Sequence, residues 1–307
     1  MHLRIGTRGS KLALTQSEWV KGKIKATYPE AQVTLVRIKT KGDKILDSPL
    51  SNIGGKGLFV KEIEDALLRK EVDVAVHSMK DVPAELPEGL MISVFPRRED
   101  PCDALVSKNY NSIEALHQGA SVGTGSLRRS AQLHHLRPDL RVVPMRGNVE
   151  TRLRKLDSGD LDAIILASAG LKRLGLSERI RHALAPGRFL PAIGQGVLGL
   201  EMRQDDDVVH SRLHFLNHDE TEMTVRAERA FLKELEGGCQ VPIAAHGRLG
   251  GDGLTLTGMV AELDGSVLIK DEISGPRENP EELGVTLARR LLASGADEIL
   301  ARIYGKT

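Results

Sequence analysis

The chain is poor in the residues that would make it a nucleic-acid binder, a disulfide scaffold or a membrane protein. Aromatic residues make up only 3% of its 307 residues, too few to supply stacking platforms for bases. Basic and acidic residues nearly cancel to a net charge of +1, so no face able to displace counterions from a phosphate backbone is expected. The two cysteines, Cys102 and Cys239, could form at most one disulfide, and both read as free thiols. No stretch approaches the roughly 20 apolar residues that span a bilayer; the best is the short run 163–167, and no signal-peptide-like stretch precedes the first strand. A cytoplasmic protein without membrane or nucleic-acid partners is the expectation.

What is present is ample apolar material, 40% of a length that exceeds one ordinary core, so two or three domains are expected. Short apolar strands alternate with amphipathic helices: strand 3–7, helix 10–26, strand 33–38, helix 57–70 and strand 72–77. That alternation predicts a parallel α/β sheet with right-handed crossovers. A second series follows, with strands near 104–106, 121–123, 141–144 and 163–167 and helices starting at Ser126 and Asn148. Basic residues dominate 128–181, and acidic residues dominate from 215 onward. A third domain therefore begins near 217, with a long helix 221–235, strands near 243–249, 254–260 and 266–273 joined by hairpin turns, and a helix from Pro280. The domain boundaries read as 1–96 with 197–216, 97–196, and 217–307. Trp19 is expected to pack the first helix onto its sheet.

Chemistry concentrates at strand ends. The strand leading to His77 delivers Ser78-Met79-Lys80-Asp81-Val82-Pro83, placing Lys80 and Asp81 where open α/β sheets bind ligands. A cation beside Asp81 favours its ionised form, leaving a carboxylate able to stabilise positive charge or hold an N–H donor. A His77, Ser78, Asp81 triad is set aside, because successive strand residues point to opposite faces. Gly123-Thr124-Gly125-Ser126-Leu127-Arg128-Arg129 and Arg146-Gly147-Asn148-Val149-Glu150-Thr151-Arg152 are glycine-bearing turns into helices, each a ready anion site. With Arg8 in Thr7-Arg8-Gly9-Ser10 and Arg173 after Gly170-Leu171-Lys172, arginines recur at four strand-to-helix junctions. Arginine binds carboxylates bidentately, so the cleft suits a ligand bearing several carboxylates. Cys239, preceded by Gly237 and Gly238, is a thiol that a large group could reach; Cys102 reads as a buried structural thiol. The stripe His210, His214, His218 could hold a metal on one helix, though a solvated face explains it more simply, and no metal is expected. The glycine-rich segment 41–57 reads as a mobile lid or a plain surface loop.

These segments together resemble the porphobilinogen deaminase family over nearly the whole chain. The resemblance rests on Arg4-Ile5-Gly6-Thr7-Arg8, Gly54-Gly55-Lys56-Gly57-Leu58-Phe59, His77-Ser78-Met79-Lys80-Asp81-Val82-Pro83, Ser126-Leu127-Arg128-Arg129, Arg146-Gly147-Asn148-Val149, Ala169-Gly170-Leu171-Lys172-Arg173, Gly194-Gln195-Gly196 and Glu236-Gly237-Gly238-Cys239, in order. It implies two periplasmic-binding-protein-like α/β domains flanking a cleft, plus a smaller C-terminal α+β domain with a three-stranded antiparallel sheet. It also implies head-to-tail joining of four porphobilinogen molecules, with loss of ammonia, into the linear tetrapyrrole hydroxymethylbilane, by a monomer.

The same resemblance makes Asp81 the catalytic residue and Cys239 the thioether attachment point of a dipyrromethane cofactor. Asp43, Lys80, Thr124, Ser126, Arg128, Arg129 and Gly238 are implied near that cofactor. Arg8, Ser10, Lys56, Arg146, Asn148, Arg152, Arg173 and Gln195 are implied at the substrate. Asn52 and Gly125 depart from the lysine and serine common in the family. Two other readings compete. A solute-binding protein of the same two-domain architecture would leave Cys239 and the third domain without a purpose. A Cys-dependent acyl transferase would need His246 as a base beside Cys239.

Overall fold

The computed structural model describes residues 2–44, 57–236, 241–251 and 253–305. Cys239, Gly238, Lys56 and the rest of 45–56 within the glycine-rich segment 41–57 lie outside the described residues, as does the side chain of Asp43. In chain order the strands are β1 His2–Thr7, β2 Gln32–Arg37, β3 Val74–Ser78, β4 Leu90–Val94, β5 Asp103–Ser107, β6 Ser121–Thr124, β7 Arg141–Pro144, β8 Ala163–Ala167, β9 His182–Leu184, β10 Leu198–Arg203, β11 Ile243–Gly250, β12 Gly253–Ala261 and β13 Leu268–Pro276. They form two five-stranded sheets, β2-β1-β3-β10-β4 and β7-β6-β8-β5-β9, and a three-stranded sheet, β11-β12-β13.

The two large sheets are mixed, which corrects the expectation of parallel sheets. β1 runs parallel to β2 and β3, but β10 pairs antiparallel with both β3 and β4. In the second sheet β6 is parallel to β7 and β8, whereas β5 is antiparallel to β8 and β9. The chain therefore crosses between the sheets twice, after β4 and again before β10. Central strands such as β3, with four consecutive buried residues, are covered on both faces and so lack an alternating pattern. β13 does alternate, because one face of the third sheet meets solvent.

Separate apolar clusters cover the sheets. Leu3, Ile5, Val20, Ile24, Val74 and Leu200 fill one side of the first sheet, and Ile63, Leu67 and Val72 the other. Leu105, Val122, Leu133 and Ile165 pack one face of the second sheet. Phe231, Leu256 and Leu287 join the third sheet to helices Asp219–Glu234 and Pro280–Leu291. Each such side chain contributes about 1.5–3 kcal/mol by leaving water.

Two expectations fail here. Helix Lys11–Thr27 buries Gln16, Ser17, Val20 and Ile24, and Trp19 falls off that stripe; it is 44% exposed, with Lys23 Nζ 5.6 Å from its ring centroid. The histidine stripe is not on one helix: His210 lies in Asp207–Leu213, His214 opens a 3-10 turn, and His218 caps the next helix by accepting from Thr221 N.

Candidate active site

β3 ends at Ser78, and a 3-10 turn, Met79–Asp81, reverses the chain. Met79 is buried and donates its N–H to Val197 O at 3.0 Å, while Val82 N–H closes the turn on Met79 O at 3.2 Å. The anchored turn presents Lys80 and Asp81 at the carboxyl end of the sheet's central strand. Lys80 keeps some open surface yet is ringed by protein; burial first, then the Arg129 guanidinium, lower its ammonium to about 8, against the pull of Asp81 and Asp103. Arg152 is lowered to about 10 by burial and by Arg129 and Arg146, with Asp81 opposing. Residues of the second sheet's turns and Asp81 of the first thus share one electrostatic neighbourhood, the cleft.

The two anion turns converge as their sequence pattern suggests. β6 and β7 are parallel neighbours with Thr124 opposite Pro144, and Met145 N–H donates to Thr124 O at 3.2 Å. Ser126 Oγ accepts from Arg129 N at 3.5 Å and caps helix Leu127–Leu136; Asn148 Oδ1 accepts from Thr151 N at 2.9 Å and caps helix Val149–Asp157. Thr124 Oγ1 accepts from Ser126 N at 3.2 Å, and Arg152 Nε donates to Gly147 O at 2.9 Å. A Cβ on Gly125 would lie 2.3 Å from Met145 O, so the turns sit closer than the serine common in the family permits without backbone movement.

Arg128 and Arg129 face inward. Arg128 Nη1 donates to Asp103 Oδ2 at 2.7 Å and Leu190 O at 2.6 Å; Arg129 Nε donates to Asp103 Oδ1 at 2.9 Å and its Nη1 to Ile165 O at 3.0 Å. Burial alone would raise Asp103, but the two guanidiniums hold its carboxyl well below the usual range. Gln195 has no exposed surface; its Nε2 donates to Pro101 O at 2.7 Å and Asp103 Oδ1 at 3.1 Å, which puts it behind the cleft wall rather than on it. Arg173 Nη2 donates to Gly196 O at 2.7 Å, and burial lowers its guanidinium to about 10.

On the first sheet's side, Arg8, Ser10, Gln16, Phe59, Ser78 and Asp81 line one cavity of about 50 Å³. Arg8 lies 4.3 Å from the Phe59 centroid, Ser10 caps helix Lys11–Thr27, and Gln16 Nε2 donates to Ser78 Oγ at 3.1 Å. Gln16, Phe59 and Asp103 are site-lining or site-bracing residues that the sequence reading did not name as such; Phe59 lies inside a family motif, Gln16 falls in a helix face that reads as core, and Asp103 carries no motif. A larger cavity, about 460 Å³, lies away from this chemistry against His246, and its Arg248 and Glu272 already pair at 3.0 Å. His246 is lowered to about 4 by burial, His77 pairs with Glu201 at 2.8 Å rather than with Ser78, and the half-buried Cys102 thiol is pushed up to about 12 by burial and Asp100.

Fold and site together define a two-lobed α/β protein with a cationic cleft facing one carboxylate, joined to a third sheet. The chain belongs to the porphobilinogen deaminase family: residues 3–211 match its dipyromethane cofactor binding domain and residues 222–293 its C-terminal domain. It is 58% identical over 302 residues to the porphobilinogen deaminase of Geobacter metallireducens, covering 98% of this chain and 95% of that protein. It is 57% identical to that of Pelobacter propionicus, covering 98% and 97%. Among solved structures, the periplasmic aliphatic sulphonate binding protein SsuA from Escherichia coli matches 76% of this chain and 70% of its own with 14% identity and a TM-score of 0.41, too low to bear on the ligand.

Proposed function

We propose that the chain is a hydroxymethylbilane synthase, joining four porphobilinogen molecules head to tail with release of ammonia, and that Asp81 is its catalytic carboxylate. The observation that carries this reading is Asp81, beside Lys80 on one turn, lying within electrostatic reach of Arg152, whose guanidinium also feels Arg146 and Arg129, within a chain of this family. The donor set suits the dipyrromethane group: cations match its acetate and propionate carboxylates, and a lone carboxylate matches its pyrrole N–H groups. When bound through Cys239, the group supplies the pyrrole carbon on which the chain lengthens. The solute-binding alternative is not favoured, because the relatives are named as deaminases.

Asp81 would hold pyrrole N–H groups and stabilise the cationic methylene left on porphobilinogen when ammonia departs. It would then take the proton released on carbon–carbon bond formation and pass it to ammonia. Lys80, Arg146 and Arg152 would hold carboxylates, with Arg8, Ser10 and Arg173 beside incoming substrate; Thr124, Ser126 and Asn148 would shape the anion turns through their caps. Arg128 and Arg129 would supply positive field from behind Asp103 unless domain movement frees them, and Gln195 would brace the crossing. The roles of Asp43, Lys56 and Gly238 rest on family resemblance alone. Strand membership of the sheets supports domains 1–96 with 197–216, 97–196 and 217–307. No described helix is long and apolar enough to cross a membrane; a cytoplasmic monomer remains part of the proposal. Incubation with porphobilinogen tests it: one ammonia per molecule consumed and a tetrapyrrole product are expected, and a deaminated product of another length would contradict it.

A further inference from the structure

We infer that Arg229 is a positioning residue for Asp81, by which the third unit sets the catalytic turn. The inference rests on the assignment of Asp81 above. Arg229 lies on helix Asp219–Glu234, outside the sheet that carries Asp81. Its Nη2 donates to Pro83 O at 2.8 Å and to Ala84 O at 3.1 Å, the carbonyls two and three residues beyond Asp81. Pro83 has no N–H, so the chain leaving Asp81 cannot be anchored there by its amide, and its carbonyls are the available handle. One helical turn earlier, Val225 is fully buried in the cluster that contains Val82, Met79 and Val197. Residues four apart share a helix face, so one face presses on Val82 and grips the two following carbonyls.

The neighbouring Glu228 reaches the crossing that packs against the same turn. Its Oε2 accepts from Gly194 N at 2.6 Å. Gly194 has φ 68°, and a Cβ there would stand 2.7 Å from Met79 Cβ, so this crossing lies directly against Met79 and Lys80. Consecutive residues of one helix therefore hold the segment after Asp81 directly and, through Gly194, the crossing packed against Met79 and Lys80 before it. Burial lowers the Arg229 guanidinium, with Glu201 opposing, and the two hydrogen bonds just described both go to backbone carbonyls.

The test is steady-state and single-turnover ammonia release by Arg229→Lys and Arg229→Met, with cofactor loading of each read by intact mass and folding by thermal melting. We expect both proteins to load. Turnover per loaded Arg229→Met molecule at saturating porphobilinogen should fall about ten- to a hundredfold, as for a displacement of up to about 1 Å at a reacting group, with KM within twofold; Arg229→Lys should fall less. A normal turnover per loaded molecule, with only a lower melting temperature, would overturn the inference, as would loss in proportion to lost cofactor. Should Arg229→Met not fold, the same criteria apply to Arg229→Lys. Failure of the wild type to release ammonia would instead contradict the assignment of function.

Discussion

Arg98 Nη1 donates to Glu228 Oε1 at 2.5 Å, and the carboxylate it meets has no solvent exposure. Glu228 also accepts from Gly194 N at 2.6 Å and Gly247 N at 2.8 Å, while Arg98 Nε donates to Gln195 O at 2.9 Å. One carboxylate thus ties both crossings between the large sheets to the third sheet. Breaking a buried pair strands the remaining charge, so Glu228→Ala should destabilise the protein by about 3–5 kcal/mol. Urea denaturation measures this; a loss under about 1 kcal/mol would show that the pair does not fasten the three sheets.

Glu64 makes stability depend on pH. Burial first, and then the nearby Glu201, raise its carboxyl to about 7 from its ordinary 4.5. A raised carboxyl favours the fold while protonated, so this contribution is present below 4.5 and is lost as pH rises through 7. Glu64→Gln should therefore match the wild type near pH 4 and exceed it at pH 8 by up to about 3 kcal/mol. An equal difference at both pH values would contradict the burial account.

Lys80 loses its charge early. With its ammonium lowered to about 8 by burial and Arg129, its hold on carboxylates should weaken as pH rises through 8. The KM for porphobilinogen should rise above that pH in the wild type and stay flatter in Lys80→Arg, whose guanidinium remains charged. Identical KM profiles would remove Lys80 from carboxylate binding.

At Gly125 the restored serine of the family should be harmful. Its Cβ would approach Met145 O to 2.3 Å, and relieving such overpacking costs about 1–3 kcal/mol. Gly125→Ser should melt lower and bind porphobilinogen less tightly; unchanged stability would mean that the two turns part easily.

The arginine turns were legible because glycine, a helix cap and a cation fall at fixed places in short motifs, and β6 and β7 do bring two of them together. Local sequence does not reveal partners far along the chain. Asp103 and Glu228 have no motif, yet they neutralise Arg128, Arg129 and Arg98 from 25 to 130 residues away. The antiparallel entry of β10 was equally hidden, because it reaches the first sheet only after the whole second sheet has been built. Trp19 failed for a different reason: size suggested burial, whereas the helix's buried stripe runs through Gln16, Val20 and Ile24.

The central claim is a tetrapyrrole synthesis primed on Cys239 and run by Asp81. Intact mass of the purified protein tests it most directly, beside Cys239→Ser and Asp81→Asn. The account predicts a wild-type mass above that of the sequence by two linked pyrrole units, no excess in Cys239→Ser, and the excess retained with turnover largely lost in Asp81→Asn. An active wild type with the bare sequence mass would contradict it.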